Sequence, residues 1–344
     1  MQIVDPPAEG DCHRAMVPAR IGLAAAAYRK SMIDRARVAV VGVGNNTSAL
    51  VQGISYYRRT GSRVGISRPE VAGIGVGDVE VVAAFALSAG KVGRDLHEAI
   101  FAAPNNFPRI EAALDPSGVT VQRGLTGDDE IDRVAAAVRD AEVLLYSAPS
   151  GRPAIARSYA EVALAAGAAF VNTTSDPVAR DPELLRRFEA AGLPLIGDDL
   201  TSQFGTSVVH HTLLRLLAER GLTLTSSYQV NLGGTEDFRN LVENPDTKHR
   251  SKVNALGSDQ VQIAPLGFMP HLGSQKIAHL NLEARGWAGT EVSLDVRLKV
   301  HDPSGAAGVN IDLVRLAAGA ARAGRGGYLA EAATMLKSPP GTAI

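Results

Sequence analysis

Val38-Ala39-Val40-Val41-Gly42-Val43-Gly44-Asn45-Asn46-Thr47 carries an apolar run straight into a glycine-punctuated turn, and Ser48 to Ile54 continues with helical spacing. In the order strand, G-x-G, helix, the two glycines permit a tight turn and close backbone approach to a pyrophosphate. The helix N-terminus adds free N–H groups and the positive end of its dipole. Gly42, Gly44, Asn45 and Asn46 are therefore candidate dinucleotide contacts. A third glycine is missing, since Thr47 stands in its place, and a plain tight turn is the competing reading.

Outward from this stretch, short apolar runs bounded by turn residues recur at Val38–Val41, Glu80–Leu87, Val143–Tyr146, Ala169–Asn172 and Leu193–Ile196, each followed by a helix-length segment. Such runs suit strands covered on both faces, so an α/β domain with a doubly wound Rossmann-type parallel sheet is predicted. The pattern changes after about Leu222. Glu291–His301 alternates without a miss, placing Val292, Leu294, Val296, Leu298 and Val300 on one face of a half-exposed strand. Lys276–Glu283 alternates less cleanly, with Gly286-Trp287-Ala288-Gly289 as the intervening turn. A second, α+β domain with an antiparallel sheet is the expectation. Helical spacing returns over Val309–Ala321, and a final helical stretch over Tyr328–Leu336 stops at Ser338-Pro339-Pro340.

Thirty-five basic and 36 acidic residues leave a net charge of −1, so the chain carries no nucleic-acid or membrane footprint. No apolar stretch approaches the roughly 18 residues of a membrane span, and the first 30 residues mix acids and prolines where a signal peptide has an apolar core. The single cysteine, Cys12, excludes an internal disulfide and a multi-cysteine metal site, which makes the cytoplasm the default location. Only seven of the 35 basic residues are lysines: Lys30, Lys91, Lys248, Lys252, Lys276, Lys299 and Lys337.

At the end of the second strand, where an acid commonly grips the ribose 2′-OH of NAD, Phe85-Ala86-Leu87-Ser88 offers none, and Asp95 lies further on. Ser88, Lys91 and Arg94 suit a 2′-phosphate or form an exposed polar turn. The fifth strand ends in Gly197-Asp198-Asp199-Leu200-Thr201-Ser202-Gln203, two carboxylates at the crevice where open α/β sheets bind ligands; either acid is alternatively the N-cap of the next helix.

Gly42-x-Gly44-Asn45-Asn46, Gly197-Asp198-Asp199, Asn231-Leu232-Gly233-Gly234-Thr235-Glu236-Asp237-Phe238-Arg239-Asn240-Leu241, Lys248 and Lys252, Asn310-Ile311-Asp312 and Leu336-Lys337-Ser338-Pro339-Pro340 follow one another in order. Together they resemble the motifs of the myo-inositol-1-phosphate synthases of the short bacterial form, over nearly everything from Arg37 to Pro340. The resemblance implies an isomerisation of a hexose phosphate without net redox change. In that family NAD oxidises C5 of glucose 6-phosphate, the C6 enolate attacks the C1 aldehyde, and the recycled cofactor reduces the ketone again, giving myo-inositol 1-phosphate.

The resemblance carries Lys248, Lys252, Lys276 and Lys337 onto the family's catalytic lysines, four of the seven in the chain. Asp199, Asp237 and Asp312 match acids that orient them, although an intrahelical pair with Arg315 is the alternative for Asp312, and a solvated basic face is the alternative for Lys248 and Lys252. Asp198, Ser147 and Ala148 would border the nicotinamide, and Ser202, Gln203, Gly234, Thr235 and Asp237 would line the substrate. No metal site is predicted.

Residues 1–36 are then an N-terminal arm, 37–225 with 305–344 a dinucleotide-binding domain, and 226–304 a catalytic and oligomerisation domain whose sheet assembles a homo-oligomer, a tetramer in the family. Three positions depart from the family pattern: Thr235 replaces Asn, Thr201 replaces Lys, and Ala86 replaces the ribose acid. These departures open a second substrate, fructose 6-phosphate closed to a five-membered carbocycle by a secondary-metabolism paralogue. Readings from other classes are a two-domain NAD(P)-dependent dehydrogenase and a non-catalytic dinucleotide sensor.

Overall fold

The computed structural model describes residues 35–112, 114–243, 261–263 and 267–341. Strands β1 (Ala36–Val41), β2 (Val79–Ala86), β3 (Val121–Arg123), β4 (Val143–Tyr146), β5 (Ala169–Asn172) and β6 (Leu195–Ile196) form one parallel sheet in the order β3-β2-β1-β4-β5-β6. The chain winds outward from β1 in both directions, so the carboxyl ends of β1 and β4 flank the switch point where such sheets open a ligand crevice. β3 has no counterpart in the apolar runs, because it is three residues long and only Val121 is buried.

The described α-helices are α1 (Asn45–Thr60), α2 (Leu96–Ala99), α3 (Ile131–Val138), α4 (Pro153–Ala166), α5 (Pro182–Ala190), α6 (Thr206–Glu219), α7 (Glu236–Glu243) and α8 (Asp302–Arg322). Alternate residues of β1 feed two cores. Val38 and Val40 pack with Leu50, Val51 and Ile54 of α1 and with Leu313, Val314 and Ala317 of α8. Ala39 and Val41 pack on the opposite face with Val134 and Val138 of α3 and Tyr159 and Val162 of α4. Burial of each such Val, Leu or Ile side chain contributes about 1.5–3 kcal/mol.

The second sheet contains β7 (Thr223–Gly233), β8 (Val261–Ile263), β9 (Gly267–Phe268), β10 (Gln275–Arg285) and β11 (Glu291–His301), ordered β8-β7-β10-β11 with β9 also on β7. β10 runs antiparallel to both β7 and β11, but β8 and β9 pair with β7 in parallel, so the sheet is mixed rather than wholly antiparallel. Leu280 sits opposite Gln229 on one side and Val296 on the other. Ser227, Gln229 and Asn231 thus share a face with Ala278, Leu280, Leu282, Leu294, Val296 and Leu298. α6 lies over β7 and β10 on that face, tied by His210 Nε2 to Ser227 Oγ at 2.7 Å. β11 is the edge strand, and its Val292 and Leu294 remain 37% exposed.

α8 leaves β11 directly and packs on α1 and the parallel sheet. Beyond it, Tyr328–Leu336 is not an α-helix: Ala330–Met335 forms 3-10 turns, and the chain then runs antiparallel to the end of β6. Ser338 exchanges backbone hydrogen bonds with Asp198, and the Lys337 N–H donates to the Asp199 carbonyl at 2.7 Å. Among the described residues no helix is long and apolar enough to cross a membrane.

Candidate active-site crevice

At the end of β1, Gly42 has φ +95°, and a Cβ there would stand 2.5 Å from the Ser147 carbonyl oxygen. Only glycine lets the turn press against the β4 loop in this way. Thr47, where a third glycine is usual, donates its hydroxyl to the Gly42 carbonyl and locks the turn from below. Gly44 caps α1 with no side-chain acceptor, and no acid occupies the first turn, so the helix presents open N–H groups to the crevice. Asn45 Oδ1 accepts from the Asn106 and Phe107 N–H groups, holding the neighbouring loop.

Lys91 lies under this turn and is not part of an exposed loop. It is 4% exposed, and its ammonium donates to the Val43 carbonyl at 2.6 Å and to Asn105 Oδ1 at 2.7 Å. Burial pulls its pKa down to about 8. A cradle that a Cβ would fill, an acid-free helix N-terminus and a buried cation together fit the pyrophosphate of a dinucleotide.

The opposite wall is built from both sheets. Asp199, at the end of β6, adopts φ +57°, and its carboxylate holds the Lys337 ammonium at 2.7 Å. Lys276, near the start of β10, is held by Asp302 at the head of α8, also at 2.7 Å. Both pairs line one crevice of about 470 Å³ that reaches the glycine turn. Gly205, Thr206, Ser207 and Val208, the start of α6, line it as well, and that helix has neither a side-chain cap nor an acid in its first turn. Asn231 Oδ1 accepts from the Thr206 hydroxyl, while its buried Nδ2 and the Ser202 hydroxyl have no partner among the described residues. This corner therefore offers unsatisfied donors around a helix N-terminus, a site suited to a phosphate.

Of the residues singled out in the sequence, Gly42, Gly44, Asn45, Asn46, Ser147, Ala148, Asp199, Ser202, Thr235, Asp237, Lys276 and Lys337 all line the crevice. Four others have different surroundings. Asp198 is fully buried and accepts from Asn172 Nδ2, the Val178 and Ala179 N–H groups and Arg180 Nε. Burial pushes its pKa up while these donors pull it back, and it braces the strand end rather than facing a ligand. Gln203 turns away to donate to the Gly65 carbonyl. Gly234 is a close-packing position: a Cβ would lie 2.6 Å from the Gly273 backbone. Asp312 pairs within α8 with Arg315, a fully buried guanidinium that also donates to the Arg68, Pro69 and Ile74 carbonyls. That pair lies off the crevice, which corrects the reading of Asp312 as an acid that orients a lysine. Lys248, Lys252 and the arm over 1–34 lie outside the described residues. The motifs did not single out Asp302 or the start of α6, and Asn231, the first residue of the Asn231–Leu241 motif, was given no role of its own.

A doubly wound sheet whose switch point opens on a glycine turn, faced by two carboxylate-tethered lysines, defines the class: a Rossmann-type α/β protein with a ligand-sized crevice at the carboxyl ends of its strands. Within that class the chain belongs to the myo-inositol-1-phosphate synthase family. A family model described as myo-inositol-1-phosphate synthase matches residues 205–303. Inositol-3-phosphate synthase of Mycolicibacterium smegmatis is 38% identical over 338 residues, covering 88% of this chain and 93% of that protein. The Corynebacterium glutamicum enzyme of the same name is 34% identical with the same coverage. Among solved structures, Ari2 is 51% identical with a TM-score of 0.82 over 89% of this chain and 93% of its own. Inositol-3-phosphate synthase from Caenorhabditis elegans shares the fold, with a TM-score of 0.70 at 17% identity over 90% and 82% of the two chains.

Proposed function

We propose that the chain is an NAD-dependent sugar-phosphate carbocyclase that converts glucose 6-phosphate to myo-inositol 1-phosphate and recycles its cofactor. The observation that carries this reading is the convergence of Lys276 and Lys337, each tethered to a carboxylate at 2.7 Å, on a crevice continuous with the glycine turn. A simple dehydrogenase transfers hydride and needs no such pair. An intramolecular aldol does, because enolate and alkoxide charge develops beside a phosphate dianion.

NAD, when bound, supplies reversible oxidation at the substrate carbon that becomes the ketone. The protein does the rest. The α6 N-terminus, Asn231 Nδ2 and Ser202 Oγ receive the phosphate. Lys276 and Lys337, fixed by Asp302 and Asp199, supply positive charge to the developing oxyanions without reorganising, which is worth about 3 kcal/mol for one well-placed donor. The same ammonium groups exchange protons with the substrate as the ring closes. Lys248 and Lys252 complete the cationic set in this proposal, and Gly42, Gly44, Asn46, Ser147, Ala148 and Lys91 hold the dinucleotide.

In the same proposal the dinucleotide-binding part comprises 37–225 with 305–344. The part over 226–304 supplies the substrate wall and, through the uncovered apolar face of β11, assembles the chain into a homo-oligomer in the cytoplasm.

A second reading rests on Thr201 and Thr235, which both line the crevice where the family resemblance calls for Lys and Asn. A pocket with one cation and one amide fewer favours a different sugar phosphate, with fructose 6-phosphate and a five-membered product as the candidate. Incubation of the pure protein with each hexose phosphate and substoichiometric NAD, followed by phosphorus and carbon NMR, tests both. A carbocyclic phosphate in excess over NAD, without accumulated NADH, supports the carbocyclase, and the preferred sugar selects the reading. NADH formed in step with product supports a dehydrogenase instead.

A further inference from the structure

The end of β2 determines how a dinucleotide site of this type treats the adenosine ribose: an acid there bonds the 2′-OH and repels a 2′-phosphate. Here β2 ends at Ala86, and the chain continues through Leu87 and Ser88, all lining the crevice. Among the described residues, the acids that line the crevice are Asp199, Glu236, Asp237 and Asp302, none of them on β2 or the turn that follows it. Asp95 cannot substitute. Its carboxylate accepts from the N–H groups of His97, Ser117 and Gly118 and from the Ser117 hydroxyl, at 2.8–3.1 Å, so its oxygens are consumed locally.

A cation lies one strand over from the position that lacks the acid. Ala86 pairs in register with Arg123, the last residue of β3, and Arg123 is exposed and adjoins Gly124, which lines the crevice. Its backbone is steadied by Arg133 Nη1, which donates to the Arg123 carbonyl at 3.1 Å. Lys91 does not compete for this role, since its ammonium is anchored to the Val43 carbonyl at the pyrophosphate position.

We infer that the adenosine end of this crevice accepts a ribose 2′-phosphate, with the Ser88 hydroxyl and the Arg123 guanidinium as its ligands, so that the chain binds NADP(H) about as tightly as NAD(H). The inference rests on the dinucleotide reading above and concerns only these residues. Titration of the full chain with NADH and with NADPH, followed by calorimetry, tests it. NADPH is expected to bind within about tenfold of NADH, and Arg123→Ala to weaken NADPH at least about fivefold while leaving NADH unchanged. Ala86→Asp is expected to impose a further discrimination of at least about tenfold against NADPH alone. NADH binding with NADPH more than tenfold weaker overturns the inference and leaves the dinucleotide reading standing. Equal losses of both nucleotides in Arg123→Ala overturn the assignment of Arg123, and failure of both to bind the unmodified chain overturns the dinucleotide reading itself.

Discussion

The two sheets bury their strands in opposite ways. In the parallel sheet, helices cover both faces, and Val38, Ala39 and Val40 have no exposed surface. In the mixed sheet, α6 covers β7 and β10 but stops short of β11: Leu280 is 1% exposed, whereas Leu294, two strand positions along and one strand over, is 37% exposed. The difference separates what each sheet contributes. The first is covered on both faces and holds the glycine turn and Asp199; the second supplies Lys276 from its buried strand and has a half-exposed apolar edge. Lys337 and Lys276 therefore reach one crevice from two scaffolds, each fixed by a carboxylate.

Substitutions can break or sharpen this contrast. The largest expected effect lies in the covered half. Asp312→Ala leaves the Arg315 guanidinium buried without its counter-charge, and loss of one partner of a buried pair costs about 3–5 kcal/mol. Denaturant titration should show that loss, while the protein that remains folded keeps its kcat, because Asp312 lies off the crevice.

Next comes the site itself. Lys337→Met and Lys276→Met should each lower kcat by about 10²–10³ with dinucleotide affinity intact, as expected when one oxyanion donor is removed. Unequal losses would show that one scaffold carries the chemistry.

A smaller contrast tests the sheet directly. Leu280→Ala should cost about 2–5 kcal/mol on unfolding. Leu294→Ala should cost under about 1 kcal/mol in the monomer, and a larger loss that depends on protein concentration would show that a partner covers β11.

The smallest effect is a pH dependence. Lys91 titrates near 8 in the folded protein, below its ordinary value of 10.5, because burial penalises its charge. Between these values the unfolded chain binds more protons, so the residue costs stability below pH 8 and the cost disappears as pH rises through that window. A bound pyrophosphate favours the charged form. Dinucleotide affinity should therefore fall above pH 8 by up to about tenfold per unit, and Lys91→Met should flatten that slope.

How much of this was legible in the sequence follows from the same contrast. β1 announced itself because both of its faces are apolar, and β11 because its faces differ at every step. β7 stayed hidden, since its alternation is inverted: its covered face carries the polar Ser227, Gln229 and Asn231, while the apolar Tyr228, Val230 and Leu232 lie on the more exposed face. The site behaved alike. Lys337 and Asp199 were found through ordered motifs and Lys276 through the family resemblance they carry, but Asp302 was not, because it meets Lys276 across 26 residues of chain through a strand pairing that motifs do not record. Nor can sequence say which of Asp198 and Asp199 faces the ligand. A φ of +57° at Asp199 turns that carboxylate into the crevice, while its neighbour is surrounded by donors.

The central claim is that two tethered lysines and a recycled dinucleotide close a sugar phosphate into a ring. Single-pot turnover with one equivalent of NAD and a hundredfold excess of hexose phosphate tests it most directly, with the phosphorylated product followed by NMR. The account predicts many turnovers of a carbocyclic phosphate with no NADH left over, and turnover lost in Lys337→Met. Product limited to one equivalent with NADH accumulating, or unchanged turnover in Lys337→Met, would contradict it.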